Sequence, residues 1–350
     1  MKNTLSDYND FNNAIQNEEL VFLFGAGISS SLTGKPYNWK TWIEDGIKGI
    51  KDKKYAEKLK RQLDNDSSAN NMINVVGEVI KVAKFDGSYP LWMHNAFEVN
   101  QITNKELSYT LRKLLLSQVV FATTNYDLLL EKATEIGSLS YDDSNLAYDM
   151  LDKHLSNHVL HLHGIYDSLR GIDNIVADKE QYSMVMENQG AQFIQNILGT
   201  RTLVFVGCGK TTEDANISRF IEFANKHLKM DKTYYYLCKE YVEGLPEHIV
   251  QIQYGDAYDD LPLFLENIVQ IRLKKKISKS RLVGYNVFDE HTSSDDLFRY
   301  HFSNRTILFC GRNKELTELL SFITNNNIFS WWVITGQAGS GKSRLAFELL

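Results

Sequence analysis

Cysteine is scarce in this sequence, with three residues in 350. Cys208, Cys238 and Cys310 stand far apart, and the chain has no Cys-x-x-Cys pair. A zinc site built from four cysteine thiolates is therefore excluded within this chain. Isolated cysteines are typical of a reducing compartment, so we expect a cytoplasmic protein without a metal site.

Long apolar runs and an excess of positive charge are also missing. No apolar stretch approaches the ~20 residues of a membrane span, and residues 1–4 do not begin a signal peptide. The formal net charge is −6, so no general attraction to nucleic acid or to an anionic membrane is expected. The basic run at residues 272–281 is interpreted as a solvated linker rather than a phosphate or nucleic-acid patch.

The most informative stretch that is present begins with the apolar run Leu20–Phe24. The run stops at a glycine, which is typical of a buried parallel strand. The residues after it allow a tight turn, close approach of a phosphate and a serine cap for the next helix. A tight turn in any α/β protein is an equal alternative, because Ser30 replaces the third glycine of the dinucleotide fingerprint. The turn residues assigned to a ligand are Gly25, Ala26, Gly27 and Ser29.

Strand and helix patterns alternate along most of the chain. After the first strand, residues 34–117 show four helical patterns in succession (39–63, 72–82, 91–99 and 107–116), which predicts a helical insertion. Apolar runs then predict strands at 118–122, 159–162, 202–206, 233–238 and 249–252. The alternation predicts an α/β fold with a doubly wound, mostly parallel, Rossmann-like sheet. Ligands of such sheets bind at the carboxyl ends of the strands, near a switch point.

Polar and glycine motifs follow three of the predicted strands. They are Thr123-Thr-Asn-Tyr-Asp127, His161-Leu-His-Gly164, and Val206-Gly-Cys-Gly209 with Asp214-Ala-Asn216. In this order, and after the first glycine turn, they resemble the sirtuin-like family, in the branch of bacterial anti-phage NAD hydrolases. The resemblance extends over roughly residues 15–270. It implies a sirtuin-type sheet whose ligand is NAD⁺.

The resemblance gives Asn125 and His163 the catalytic roles. In sirtuin-like enzymes, an asparagine two residues before an aspartate lies beside the nicotinamide ribose, and a histidine before a glycine acts as its base. Histidine titrates near neutrality and can take a proton from a ribose hydroxyl or from water, while cleavage at C1′ builds oxocarbenium character. The alternatives are that Asn125 caps the next helix and that His163 is a strand-end histidine. His161 is expected to point to the opposite face of the strand.

The same resemblance assigns the remaining NAD⁺ contacts. Asp127 would accept a hydrogen bond from the nicotinamide carboxamide. Gly255 and Asp256 resemble the segment that closes over adenine, although a plain surface turn is an equal alternative for Gly255. The residues that would border the nicotinamide-side ribose and the phosphates are Gly207, Cys208, Gly209, Asp214 and Asn216.

A second motif, at residues 336–343, matches the Walker A pattern Gly-x4-Gly-Lys-Ser. A strand is predicted before it, at Trp331–Thr335, and a helix after it, which is the context that the motif requires. Its amides would cradle the phosphates of ATP, its lysine would neutralise them, and its serine would bind Mg²⁺. The P-loop residues are Gly336, Gly339, Gly341, Lys342 and Ser343.

The lead-in to this motif, Phe309–Leu316, resembles the STAND NTPases. We therefore expect residues 307–350 to begin such a domain, after a linker at 276–306. The helical pattern at 344–350 has no stop signal, which indicates a longer protein. Because no Walker B acid follows, these 350 residues are not expected to hydrolyse ATP.

Residues 165–201 contain no cysteine, whereas protein-deacylating sirtuins carry a four-cysteine zinc ribbon there. Deacylation is thus disfavoured, and water is the expected acceptor. For residues 1–275 the resemblance implies an NAD⁺ glycohydrolase that releases nicotinamide and ADP-ribose as the effector of an anti-phage protein. A STAND sensor in the missing C-terminal region would respond to a phage protein and drive self-association, to a tetramer. The alternatives are a module that binds NAD or ADP-ribose without cleaving it, and an NAD-dependent deacylase.

Overall fold

The computed structural model describes residues 9–16, 20–36, 38–66, 68–117, 119–152, 156–209, 234–243, 245, 248–282, 312–323, 331–337 and 339–349. The chain divides into two compact units, residues 1–269 and residues 270–350. The greater part of the predicted linker and the start of the Phe309–Leu316 lead-in lie outside the described residues.

The first unit is built on a parallel sheet. The strands are β1 (Leu20–Phe24), β2 (Val120–Thr123), β3 (Gly137–Ser140), β4 (His158–His161), β5 (Tyr166–Asp167), β6 (Ile172–Asp173), β7 (Thr202–Val206), β8 (Tyr234–Cys238) and β9 (Ile249–Gln253). Seven of them form the sheet in the order β3-β4-β2-β1-β7-β8-β9, with every neighbouring pair parallel. The short strands β5 and β6 pair separately as an antiparallel hairpin. The predicted α/β, Rossmann-like sheet is confirmed.

Helices connect and cover the strands. They are α1 (Asn9–Gln16), α2 (Ala26–Thr33), α3 (Trp39–Gly49), α4 (Lys53–Asn65), α5 (Ala69–Asp86), α6 (Tyr89–Phe97), α7 (Lys105–Leu116), α8 (Leu129–Thr134), α9 (Ser144–Asp152), α10 (Lys179–Glu187), α11 (Gln189–Thr200) and α12 (Leu261–Leu282).

Both faces of the sheet are buried at its centre, which explains why β1 is continuously apolar. On one face, Leu23 and Phe205 belong to a core that includes residues of α9 and α11. On the other face, Phe24 and Phe121 meet edge to face with their ring centres 4.8 Å apart. Phe11 of α1 covers that same face, 4.5 Å from the ring of Tyr235 in β8.

The order of the strands places a switch point beside β1. From β1 the chain crosses to β2 on one side of the sheet, and it later returns to β7 on the other side. The loops after these central strands therefore leave the sheet in different directions and open a crevice at its carboxyl edge, where ligands of such sheets bind.

The helical insertion contains five helices, α3 to α7, whereas the sequence predicted four. The predicted helix at 39–63 breaks because Ile50 takes an extended conformation with ψ of 129°. Asp52 then caps α4 by accepting hydrogen bonds from the N–H groups of Lys54 and Tyr55. The insertion has an apolar core of its own, in which Trp42 stacks on Trp92 at 5.0 Å.

The second unit begins within α12, and its other described helices are α13 (Asn313–Ile323) and α14 (Lys342–Leu349). The predicted strand Trp331–Thr335 is wrong, because residues 331–337 lie in no strand. A strand requires a partner for its backbone groups, and none of the described residues of this unit pairs with it; the Trp331 side chain is 72% exposed. No helix in the described part of the chain combines the length and apolar character needed to cross a membrane.

Candidate functional site

The glycine turns after β1 and β7 pack against each other through their backbones. A Cβ on Gly25 would lie 2.6 Å from the Cα of Cys208, and a Cβ on Gly27 would lie 2.8 Å from the Cα of Gly207. Gly207 also has a φ of +65°, and its Cβ would lie 2.7 Å from the nitrogen of Ile28. Glycine is required at these positions because only a backbone without side chains allows such an approach.

Two amides of the first turn are used within this contact. The N–H of Gly25 donates to the carbonyl of Val206 over 3.0 Å, and the N–H of Gly27 donates to the carbonyl of Gly207 over 2.8 Å. These two amides are therefore not available to a phosphate. The thiol of Cys208 donates to the carbonyl of Leu23 over 3.1 Å, so this side chain turns back into the sheet.

Ser29 does not cap α2. The helix begins at Ala26, with Gly25 as its N-cap and no side-chain cap hydrogen bond. Ser29 consequently lies in the second half of the first turn, fully buried, and its hydroxyl donates to Oδ2 of Asp127 over 2.9 Å. The neighbouring Ser30 hydroxyl donates to the Ala26 carbonyl of its own helix. The predicted cap is therefore wrong, and Ser29 instead joins the β1 and β2 loops.

Asn125 lies where these two loops meet. Its side-chain nitrogen donates to the carbonyl of Gly25 and to the hydroxyl oxygen of Ser29, both over 3.1 Å. Since a backbone carbonyl can only accept, these contacts fix which end of the amide is nitrogen. Both amide hydrogens are thus used, and Oδ1 of Asn125 accepts no hydrogen bond from the described residues. The amide oxygen is the group that can accept from a ligand hydroxyl or from water.

Asp127 is an anchor in this network. Its Oδ2 accepts from Ser29, and its Oδ1 accepts from the N–H of Leu129 over 3.0 Å at the start of α8. Burial raises the pKa of the Asp127 carboxyl above its usual range, against the opposing effect of these two hydrogen bonds. Because each carboxylate oxygen accepts a hydrogen bond from the protein, the Asp127 side chain helps to fix the loop after β2.

His161, which the sequence set aside, contacts the site directly. It is the last residue of β4 and has no exposed surface. Its Nδ1 donates to the backbone carbonyl of Asn125 over 2.8 Å, and its Nε2 lies 2.6 Å from Oε1 of Glu131 in α8. Burial alone would lower the pKa of His161, but the charge and hydrogen bond of Glu131 outweigh it, and the pKa is raised.

His163 follows β4 in a turn beside the same edge of the sheet. Its side chain is 2% exposed, and its ring meets that of Tyr182 in α10 at 5.5 Å, edge to face. Its carbonyl accepts from the N–H of Val176. The next residue must be glycine, because Gly164 has a φ of +81° and a Cβ there would lie 2.0 Å from the carbonyl oxygen of Asn174. The position of His163 is thus fixed by the segment that follows it.

Tyr126, between Asn125 and Asp127, ties the site to the helical insertion. Its ring lies 5.6 Å from those of Trp42 and Phe97, in the apolar core of the insertion. Its hydroxyl donates to the carbonyl of Val176 over 2.8 Å. The same short loop therefore carries a polar residue that faces the first glycine turn and an aromatic residue that is packed into the insertion.

The structure brings only part of the predicted site together. Gly25, Gly27, Ser29, Asn125, Asp127 and Gly207 form one connected network at the carboxyl ends of β1, β2 and β7. Gly209 continues the β7 turn, with its carbonyl accepting from the hydroxyl of Tyr236. Asp214 and Asn216 lie outside the described residues.

Gly255 and Asp256 lie at the other side of the sheet. They follow β9, an edge strand three strand spacings, or about 14 Å, from β1. Oδ2 of Asp260 accepts from the N–H of Asp256 over 2.9 Å and packs on Gly255. The two residues therefore form the capped start of a helical turn, separate from the network around Asn125.

The P-loop residues belong to the second unit. Lys342, the first residue of α14, donates from Nζ to the carbonyls of Gly336 and Gln337 over 2.9 and 2.7 Å. Gly339 and Gly341 have positive φ angles of 76° and 81°, which glycine adopts without strain. Ser343 follows Lys342 in α14. The loop thus leads into a helix N-terminus, the geometry that favours phosphate.

The sequence analysis did not predict that Glu131 belongs to the site, or that His161 contacts the Asn125 loop. A signal for Glu131 is present in the sequence: it stands four residues after Asp127, in the first turn of α8. A carboxylate there, one strand away from a histidine at the end of an apolar run, has few partners other than that histidine.

Residues 119–253 match the family model of the SIR2-like domain. The match supports a sirtuin-like module in this stretch. It includes Asn125, Asp127 and His163, and it includes the turn of Gly207 and Gly209. The match is consistent with NAD-related activity, and it makes NAD⁺ a plausible partner of the module.

Proposed function

We propose that residues 1–275 form an NAD⁺ hydrolase that releases nicotinamide and ADP-ribose. The observation that carries this proposal is the fixed side chain of Asn125, whose amide hydrogens are held by Gly25 and Ser29 while its oxygen accepts nothing from the described residues. An amide oxygen held in this way can orient a ribose hydroxyl or a water molecule without adding charge. The SIR2-like module supports NAD⁺ as the substrate.

In the proposed reaction the bond between C1′ of the ribose and the nicotinamide nitrogen breaks, and its electron pair leaves with nicotinamide. The oxygen of water bonds to C1′, and its proton passes to the imidazole of His163. Because the transition state carries oxocarbenium character, a general base beside C1′ stabilises the incoming water. Asn125 orients the ribose hydroxyl or the water, and Asp127 holds the loop that carries Asn125.

One observation favours the second candidate, a module that binds NAD⁺ or ADP-ribose without cleaving it. The side chains of Asn125 and His163 are 9% and 2% exposed, which is little for groups that meet both a substrate and water. Two measurements on the purified chain separate the candidates: release of nicotinamide from NAD⁺ by chromatography, and binding of ADP-ribose by calorimetry. Nicotinamide release supports the hydrolase; ADP-ribose binding without nicotinamide release supports the binding module.

We further propose that the second unit begins a STAND NTPase that controls this activity in anti-phage defence. The support is the match of residues 336–343 to the Walker A pattern, and a loop that leads into α14. Lys342 would hold the phosphates of ATP, and Ser343 would hold Mg²⁺. A phage protein acting on the remainder of such a domain would drive self-association, to a tetramer, and so switch on NAD⁺ cleavage in the cytoplasm.

A further inference from the structure

His161, which is paired with Glu131, also donates a hydrogen bond to the backbone carbonyl of Asn125, a contact that an apolar core residue could not make. The Nδ1 of His161 lies 2.8 Å from the backbone oxygen of Asn125, and the Nε2 lies 2.6 Å from Oε1 of Glu131. Since a carbonyl can only accept, Nδ1 carries the hydrogen, which fixes the orientation of the ring. The imidazole therefore connects three elements: the end of β4, the loop after β2, and α8.

Burying this pair is costly for the fold. His161 has no exposed surface, Glu131 is 8% exposed and Asp127, the other charged group near the imidazole, is 4% exposed. Ionisable groups lose their hydration on burial, and well-packed apolar residues of similar volume often stabilise a fold as well or better. Apolar residues, however, cannot donate a hydrogen bond to the Asn125 carbonyl. The pair therefore contributes by fixing the orientation of that peptide.

Asn125 is consequently held from two directions. The imidazole binds its backbone carbonyl, while Gly25 and Ser29 bind its side-chain nitrogen. A shift of the carbonyl rotates the peptide and moves the Cα, and the side-chain amide moves with it. The location of Oδ1, the one group of Asn125 left to a ligand, thus depends on His161.

We propose that His161 and Glu131 are positioning residues for the reaction at Asn125: the carboxylate orients the imidazole, and the imidazole holds the Asn125 carbonyl in place. Neither residue touches NAD⁺. The effect on catalysis rests on the proposed function, whereas the effect on the Asn125 side chain does not.

Two substitutions of the same histidine separate positioning from a structural role. In His161→Asn, the side-chain nitrogen stands close to the place of Nδ1 and keeps a donor for Asn125, but the contact with Glu131 is lost. In His161→Gln, the nitrogen stands close to the place of Nε2, so the contact with Glu131 is kept and the donor for Asn125 is lost. The urea midpoint of unfolding is measured beside kcat and KM for both variants.

The positioning role predicts that His161→Gln has the lower kcat of the two variants, whatever the order of their urea midpoints. If the pair positions Asn125, kcat falls roughly ten- to a hundredfold in His161→Gln, as for a lost hydrogen bond to a buried group. KM stays within about threefold, because uniform binding is not affected. His161→Asn keeps kcat within about threefold, even if its urea midpoint is the lower of the two. If kcat falls as far in His161→Asn as in His161→Gln, the catalytic part of the proposal is overturned.

The Asn125 side-chain amide gives a readout that needs no NAD⁺ cleavage. Its ¹H–¹⁵N signals are identified by their loss in Asn125→Ala. We expect these signals to shift or broaden in His161→Gln and to remain near those of the wild type in His161→Asn. Unchanged signals in His161→Gln overturn the positioning of Asn125. Absence of nicotinamide release by the wild type defeats the proposed function alone, and the amide signals then decide the positioning claim.

Discussion

The hydroxyl of Ser29 donates to Oδ2 of Asp127 over 2.9 Å, in a fully buried contact between residues 98 positions apart. The same hydroxyl oxygen accepts from the side chain of Asn125. The relay runs from the amide to the hydroxyl and from the hydroxyl to the carboxylate, so each of the three groups depends on the other two. Loops after β1 and β2 are thereby joined at the switch point of the sheet.

Removal of this hydroxyl should destabilise the first unit. In Ser29→Ala, Oδ2 of Asp127 and one amide hydrogen of Asn125 lose their partner, and we expect unfolding to become easier by ~1–3 kcal/mol. Urea denaturation followed by circular dichroism measures the change. The matched control is Ser30→Ala, whose hydroxyl bonds within its own helix and whose loss should cost well under ~1 kcal/mol. Equal midpoints for the two variants would contradict the relay.

The contact between the two glycine turns predicts different costs for two neighbouring glycines. Gly207 and Gly209 both have positive φ angles, of 65° and 49°, so alanine is strained at either, by ~1–2 kcal/mol. A Cβ on Gly207 would also collide with backbone, 2.7 Å from the nitrogen of Ile28, whereas no described residue lies within 4 Å of a Cβ on Gly209.

Gly207→Ala should therefore lower the thermal midpoint much more than Gly209→Ala does. A scan by differential scanning fluorimetry on both variants is sufficient. If Gly209→Ala proves as unstable as Gly207→Ala, strain in φ alone accounts for both effects, and the close approach of the turns is not what requires glycine.

The raised pKa of His161 predicts a pH dependence of stability. A histidine whose pKa is higher in the folded state than its unfolded value of 6.5 stabilises the fold fully below about pH 6.5. That contribution is lost as the pH rises through the folded pKa, with a slope of at most ~1.4 kcal/mol per pH unit. The pKa of Asp127 is also raised in the folded state, so its own contribution is lost as the pH rises from ~3.9, where an unfolded aspartate titrates.

In Glu131→Gln the cause of the raised pKa is removed, although a side-chain amide can still donate to Nε2. The free energy of unfolding should then depend less on pH above about 6.5 than it does in the wild type. Urea midpoints at several pH values give the two slopes. Identical slopes would mean that His161 does not titrate against Glu131 in the folded protein.

The P-loop prediction concerns control and not chemistry. Lys342 belongs to the second unit, so Lys342→Ala should leave NAD⁺ cleavage by the purified 350-residue chain unaltered. In the protein that carries the remaining NTPase domain, it should block NAD⁺ loss in cells challenged with the trigger, because nucleotide shifts a switch only through differential affinity for its states. Lys314→Ala, an exposed lysine of α13, is the control. Full NAD⁺ depletion by Lys342→Ala would remove the P-loop from the switch.

The strands of the sheet could be predicted because their apolar runs are unbroken and stop at glycine or a polar residue, as at Gly25 and Gly207. The edge strand β3 was not predicted, because Gly137–Ser140 contains a single large apolar residue. The break between α3 and α4 was not predicted, because apolar residues continue at helical spacing across Ile50. Trp331–Thr335 has the composition of a strand, but composition does not supply a pairing partner.

The site was predictable as a set of strand ends, because parallel strands bring their carboxyl ends to one edge. Its internal contacts were not. The position of Ser29 after the glycine turn predicts a helix cap, yet its partner is 98 residues away. Alternation along a strand predicts that His161 lies on the face opposite His163. The last residue of a strand also meets the neighbouring loop, however, and here that loop carries Asn125.

The central claim, that Asn125 and His163 act on NAD⁺, is tested most directly by nicotinamide release from His163→Ala. The matched control is His158→Ala, a histidine at the opposite end of the same strand β4. Loss of a general base predicts that turnover decreases roughly 10²–10⁴-fold in His163→Ala, with no change in the thermal midpoint of that variant. His158→Ala should keep wild-type turnover. Near-wild-type turnover by His163→Ala would contradict the account.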